Sequence, residues 1–160
     1  MIGDFAVGKT SLVARFVHQC FGEQYLSTVG VKIDTRQITL PSGDDLKLVL
    51  WDIAGKSAFA PIDSSYLRDA AGYLLVADGT RGDTLDSALR LQQATEAELG
   101  PVPFCLLLNK SDLQTRWAVE PQRIEALRTL DWPLLETSAL SGTGVEEAFQ
   151  RLGAQLLHRV

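Results

Sequence analysis

Cysteine is scarce in this 160-residue chain, with only Cys20 and Cys105. Two thiols cannot build a disulfide framework, and their separation has none of the short spacings that clip a metal. Basic residues do not dominate either. Fifteen Lys and Arg against twenty Asp and Glu leave a formal net charge of −5. That argues against a nucleic-acid partner or a polybasic membrane binder, both of which need clustered cations. No apolar run approaches the length of about eighteen residues that crosses a bilayer. No basic-then-apolar leader opens the chain, so the cytoplasm, a reducing compartment, is the expected location. What remains is ordinary globular composition, 46% hydrophobic and 22% charged. A chain this long can bury roughly two thirds of its unfolded surface, so a single domain with a real core is expected.

Apolar and amphipathic segments alternate along the chain. Val31 to Leu40 alternates with a period near two, and the turn from Pro41 to Asp45 leads into Leu46 to Trp51. This pair predicts an antiparallel edge hairpin. Gly72 to Asp78, Pro103 to Asn109 and Pro133 to Ser138 are near-continuously apolar, as parallel strands covered on both faces are. Helical spacing marks Lys9 to Cys20, Thr84 to Leu99, Pro121 to Leu130 and Gly144 to Leu157. The expected class is α/β: a doubly wound, mostly parallel sheet with one antiparallel edge hairpin and helices on both faces. Only Met1 and Ile2 precede the first glycine, so the first strand is expected to be largely absent and residues 1–160 to form one domain truncated at its N-terminus. The thiols fall on apolar stretches and are expected to be buried.

Gly3-Asp4-Phe5-Ala6-Val7-Gly8-Lys9-Thr10 matches G-x-x-x-x-G-K-S/T. Backbone N–H groups turned inward cradle polyphosphate, and glycines permit that turn without a Cβ clash. A helix starting at Lys9 aims its positive end at the anion. Lys9 brings a cation to the outer phosphates, and the Thr10 hydroxyl suits Mg²⁺, a hard ion that prefers oxygen. Asp4, Phe5, Ala6, Val7, Gly8, Lys9, Thr10 and Ser11 are the candidate contacts. The bland alternative is a glycine loop that merely caps a helix.

Asp52-Ile53-Ala54-Gly55 ends the hairpin's second strand. A carboxylate there can join the Mg²⁺ shell, and Gly55 can bring its N–H close to a γ-phosphate. A capping Asp and a turn Gly are the bland alternative. Asn109-Lys110-Ser111-Asp112 follows the apolar run to Leu108. An ionised Asp only accepts hydrogen bonds. Guanine offers it two adjacent donors, its ring N1–H and its 2-amino group, whereas adenine offers an acceptor and no 2-amino group. Asp112 therefore points to a guanine nucleotide, with Lys110 over the base plane and Asn109 tying loops together. Ser138-Ala139-Leu140 closes the last strand, where the Ala139 N–H can donate to the guanine carbonyl.

In this order and spacing, the motifs resemble the Ras superfamily of small GTPases, and its Rab-like branch in particular, from Gly3 to the last helix. The resemblance implies a GTP-binding switch that hydrolyses GTP to GDP and phosphate with Mg²⁺. It implies effector, exchange-factor and activating proteins that engage switch segments, and a monomer. Tyr25 to Val31 is similar to the first switch, so Thr28 is expected to bind Mg²⁺ and sense the γ-phosphate. Phe21 falls where the family places an aromatic against guanine. Trp51 and Tyr66 fall where Rab-like proteins place effector-facing aromatics, with Ile33 in the third place. A core role for Trp51 and Tyr66 is the alternative.

Three departures from the family pattern stand out. Lys56 replaces the usual water-orienting Gln, and lysine has no acceptor. Phe5 occupies a loop position where the family prefers small residues. No cysteine lies near Val160, so no lipid anchor is expected from this chain, which is read either as a soluble relative or as a domain excised from a longer chain. Slow hydrolysis is expected, catalysed through Lys9, Thr28, Gly55 and Lys56, with a GTP-binding scaffold as the alternative. Leu140 stands where Lys is usual, a minor change for a backbone contact.

Overall fold

The computed structural model describes residues 1–22, 28–55 and 63–158. Tyr25, Leu26 and Ser27 of the first switch, and Lys56, lie outside them. Among the described residues six strands run in chain order: β1 (Ile2–Gly3), β2 (Val31–Thr39), β3 (Asp45–Ile53), β4 (Tyr73–Asp78), β5 (Phe104–Asn109) and β6 (Leu134–Glu136). Five helices accompany them: α1 (Lys9–His18), α2 (Ser64–Leu67), α3 (Gly82–Leu99), α4 (Pro121–Thr129) and α5 (Val145–Leu157). The order of strands in the parallel sheet is β1-β4-β5-β6. Strand and helix alternate as the apolar pattern requires, and the class is α/β.

Residue alternation in the central strands explains the two-sided core. Leu74, Val76, Cys105 and Leu107 join Leu12, Val13, Phe16, Ala148 and Phe149 of α1 and α5. Leu75, Ala77, Leu106 and Leu108 join Leu85, Ala88, Ile124 and Leu127 of α3 and α4 on the other face. Because β4 and β5 are buried on both sides, their sequences read as unbroken apolar runs.

β2 and β3 pair antiparallel across nine residues, from Val31 opposite Ile53 to Thr39 opposite Asp45. This hairpin forms a ribbon of its own. β1 is only two residues long, so the link consists of two bonds of Met1: its amine to the Trp51 carbonyl at 2.6 Å, and the Ile53 N–H to its carbonyl at 3.4 Å. Side chains supply the rest of the attachment. Arg36 of β2 lies 4.2 Å from the Phe16 ring centroid. It bonds the Phe16 carbonyl at 2.6 Å and pairs with Glu146 of α5 at 2.8 Å. Phe16 in turn stacks on Phe149, with centroids 3.7 Å apart.

α1 stops at His18, where Gln19 turns left-handed at φ 54° and its N–H closes on the Arg15 carbonyl. Cys20 therefore falls beyond the helix and is exposed, a correction to the expected burial, whereas Cys105 is buried within β5. α2 and a 3-10 turn at Gln114–Arg116 carry too few residues to show a period in sequence.

Candidate functional site

β1, β3, β4, β5 and β6 all deliver their carboxyl ends to one rim, the usual binding edge of an open α/β sheet. The first loop leaves β1 at Gly3. An added Cβ there would meet the Val76 carbonyl oxygen at 2.4 Å. Gly8 has φ +102°, and a Cβ would fall 2.3 Å from Asn109 Nδ2. Asp4 shapes the loop by accepting from the Phe5 N–H at 2.7 Å and from Ser87 Oγ of α3 at 2.9 Å. Ala6 adopts φ 59°, a left-handed turn without glycine. Phe5 is 49% exposed at the rim, and Val7 is fully buried. Ser11 lies in the first turn of α1.

Lys9 is 6% exposed and spans the loop, donating to the Gly3 carbonyl at 3.2 Å and the Asp4 carbonyl at 2.9 Å. Burial lowers its pKa to about 8, against the opposing pull of Asp52 and Asp4. A buried ammonium held by two carbonyls is poised for an anion, which would raise its pKa again by favouring the charged form. Gly55 presses into the same place: a Cβ there would lie 2.6 Å from both Lys9 Nζ and the Asp4 carbonyl.

Three oxygen-bearing side chains converge beside Lys9. Thr10 Oγ1 is 2.5 Å from Thr28 Oγ1 and donates to Asp52 Oδ2 at 2.5 Å. Thr28 Oγ1 lies 3.5 Å from that carboxylate oxygen. Asp52 is fully buried, and its other oxygen, Oδ1, has no hydrogen-bond partner among the described residues. An unsatisfied buried carboxylate oxygen next to two hydroxyls is an all-oxygen donor set of the kind Mg²⁺ takes.

The loop after β5 closes the rim. Asn109 donates to the Val7 carbonyl at 2.9 Å and accepts from Thr137 Oγ1 at 3.2 Å, so it joins three loops. Lys110 donates to the Ala6 carbonyl at 3.0 Å and pairs with Asp78 at 2.6 Å. Asp112 is exposed, and one of its carboxylate oxygens accepts from Ser138 Oγ at 2.6 Å. Arg15 of α1 anchors the last loop by donating to the Ala139 carbonyl at 2.7 Å and the Leu140 carbonyl at 2.5 Å. Ala139 is buried, while Leu140 and Phe21 are exposed.

On the ribbon, Ile33 stands opposite Trp51. The two are 50% and 40% exposed, which removes Trp51 from the core. Tyr66 of α2 sits 6.4 Å from it, ring to ring, and packs partly buried against the α3-side core. The residues that motif reasoning passed over are Arg15, Arg81, Ser87 and Asp78. Their sequence neighbourhoods indicate a strand end, helices and a turn but nothing of the loops, and only the fold brings them there.

A buried lysine cradled by a glycine loop, a hydroxyl–carboxylate cluster and an Asn-Lys-x-Asp loop on one α/β rim define a nucleotide-binding protein of the small GTPase class. The chain belongs to the Ras family, which it matches over residues 1–158, and is a Rab-like small GTPase, a GTP-binding switch protein with GTP hydrolase activity. It is 37% identical over 162 aligned positions to the Ras-related protein Rab-1A of Dictyostelium discoideum, covering 100% of this chain and 80% of the relative. It is 38% identical to the GTP-binding protein ypt1 of Schizosaccharomyces pombe, covering 79% of that protein. No described helix is long and apolar enough to cross a membrane.

Proposed function

We propose that this chain hydrolyses GTP slowly and signals through two segments, one around Thr28 and one around Gly55, that engage effectors in the GTP state. The observation that carries this reading is the Thr10–Thr28–Asp52 cluster beside buried Lys9. In this reading Thr10, Thr28 and Asp52 hold Mg²⁺, which when bound neutralises charge on the phosphates. Lys9 pairs with the outer phosphates and, with the loop amides, stabilises charge that develops during transfer. Thr28 and Gly55 meet the γ-phosphate, and loss of that group frees both segments. Asp112 selects guanine, with Asn109, Lys110, Ser138, Ala139 and Leu140 shaping the base pocket and Phe21 flanking it. Exchange factors and activating proteins act on the same segments, and the Ile33–Trp51–Tyr66 surface is the effector face.

Lys56 has no acceptor with which to hold the attacking water by a hydrogen bond, so intrinsic turnover is low. Single-turnover phosphate release should be faster in a Lys56→Gln variant, and equal rates would remove the role given to Lys56. A competition titration should show GTP displacing a bound guanine nucleotide far better than ATP. Comparable affinities would return the chain to the ATP-using phosphate-loop proteins.

The exposed ring of Phe5 at the rim favours a second reading, a GTP-binding scaffold with little hydrolysis. Phosphate release that stays absent with and without cell extract supports the scaffold, and release in either arm supports the switch.

A further inference from the structure

We propose that Arg81 is a positioning residue of the phosphate loop, holding the Phe5 carbonyl so that the left-handed turn at Ala6 is retained. The inference rests on the reading that this loop binds a nucleoside polyphosphate. It starts from a conflict in the loop itself. Ala6 has φ 59°, a conformation that the Cβ of an L residue disfavours and that glycine adopts freely. Something outside the loop must hold it there.

The carbonyls on either side of that turn are both tethered. The one before it, Phe5 O, accepts from Arg81 Nη2 at 2.9 Å. The one after it, Ala6 O, accepts from Lys110 Nζ at 3.0 Å. Both cations return to a single acceptor, Asp78 Oδ2, at 3.0 Å from Arg81 Nε and 2.6 Å from Lys110 Nζ. Asp78 is 1% exposed, and its other oxygen is pinned by the Thr80 N–H at 2.9 Å and the Thr80 hydroxyl at 2.7 Å. The carboxylate is thus a fixed post, and each cation bridges from it to one side of the strained peptide.

The turn that carries Arg81 is itself rigid. Trp117 lies directly on Gly79, so that a Cβ there would be 1.9 Å from the ring. The Gly79 N–H bonds the Asn109 carbonyl at 2.9 Å, and its carbonyl accepts from Ala118 at 2.8 Å. Arg81 is suited to the task by shape. Its planar fork serves Asp78 through Nε and Phe5 through Nη2 at once, a geometry that a lysine point charge does not reproduce.

The test measures release of a fluorescent GDP from the full chain in excess unlabelled GDP. Arg81→Ala should release it about tenfold faster, the equivalent of one charge-assisted bond. Arg81→Lys should fall between, and Arg123→Ala, which breaks only the exposed pair with Asp86, should match wild type. Ala6→Gly removes the Cβ conflict, so in that background Arg81→Ala should change release by less than about threefold. The shift of the bound β-phosphate in ³¹P NMR should move in Arg81→Ala alone and not in Arg123→Ala. A wild-type release rate in Arg81→Ala, or equal effects with and without Ala6→Gly, would overturn the proposal. Should Arg81→Ala not fold, Arg81→Lys completes the same cycle with Ala6→Gly. Failure of wild-type protein to retain any guanine nucleotide would overturn the underlying reading instead.

Discussion

Asp112 shows how a residue's role depends on what already occupies it. Ser138 donates to one carboxylate oxygen at 2.6 Å, which fixes the group's orientation while both oxygens keep lone pairs for a ligand. Two charge-assisted bonds to guanine contribute about 1.5–3 kcal/mol each. Asp112→Asn places an amide where two acceptor positions are needed, so preference for GTP over ATP should fall by about a hundredfold. Competition titration of both nucleotides checks this, and an unchanged ratio would move base selection elsewhere. The four residues of this loop were legible in sequence because their chemistry is tied to fixed spacing. Arg15, Ser87 and Arg81 were not, because each reaches the site from a separate element.

At the scale of elements, the ribbon meets the chain's first residues at Met1. The Met1 amine is buried against the Trp51 carbonyl. Burial lowers its pKa from 8.0 to about 5, with Asp52 opposing the fall and Lys9 adding to it. The unfolded chain therefore binds a proton between those values that the folded chain does not. Stability of a chain starting at Met1 should rise with pH from about 5 to 8, by up to about 4 kcal/mol. Thermal unfolding at pH 5.5 and 8 measures the slope. A version carrying several residues before Met1 should lose most of it, and equal slopes would show that the amine is solvated. The hairpin was predicted correctly from its alternation and turn, but its bonds to Met1 were not legible, because pairing between distant segments leaves no local pattern.

The whole molecule places five strand ends on one rim, and the loops there carry groups that are costly to bury without a ligand. Lys9 and the Oδ1 oxygen of Asp52 are both enclosed. Mg²⁺ and nucleotide bound to such a site stabilise only the folded state. At a thousandfold excess over Kd that amounts to about 4 kcal/mol, or roughly 8–16 °C in Tm for a chain of this size. Chelation with EDTA should lower Tm on that scale and speed nucleotide release. A midpoint insensitive to EDTA would argue against a metal held by Thr10, Thr28 and Asp52.

Sequence alone determined the α/β class, the order of the elements and the glycine, lysine and aspartate motifs, because period and spacing are local properties of a chain. Tertiary structure decided the two-bond junction at Met1, the exposure of Trp51 and Cys20, and the Asp78 post that links Arg81 and Lys110 to the loop at Ala6. Those depend on which distant segments meet, and contacts between them are settled by packing of the core rather than by neighbouring residues.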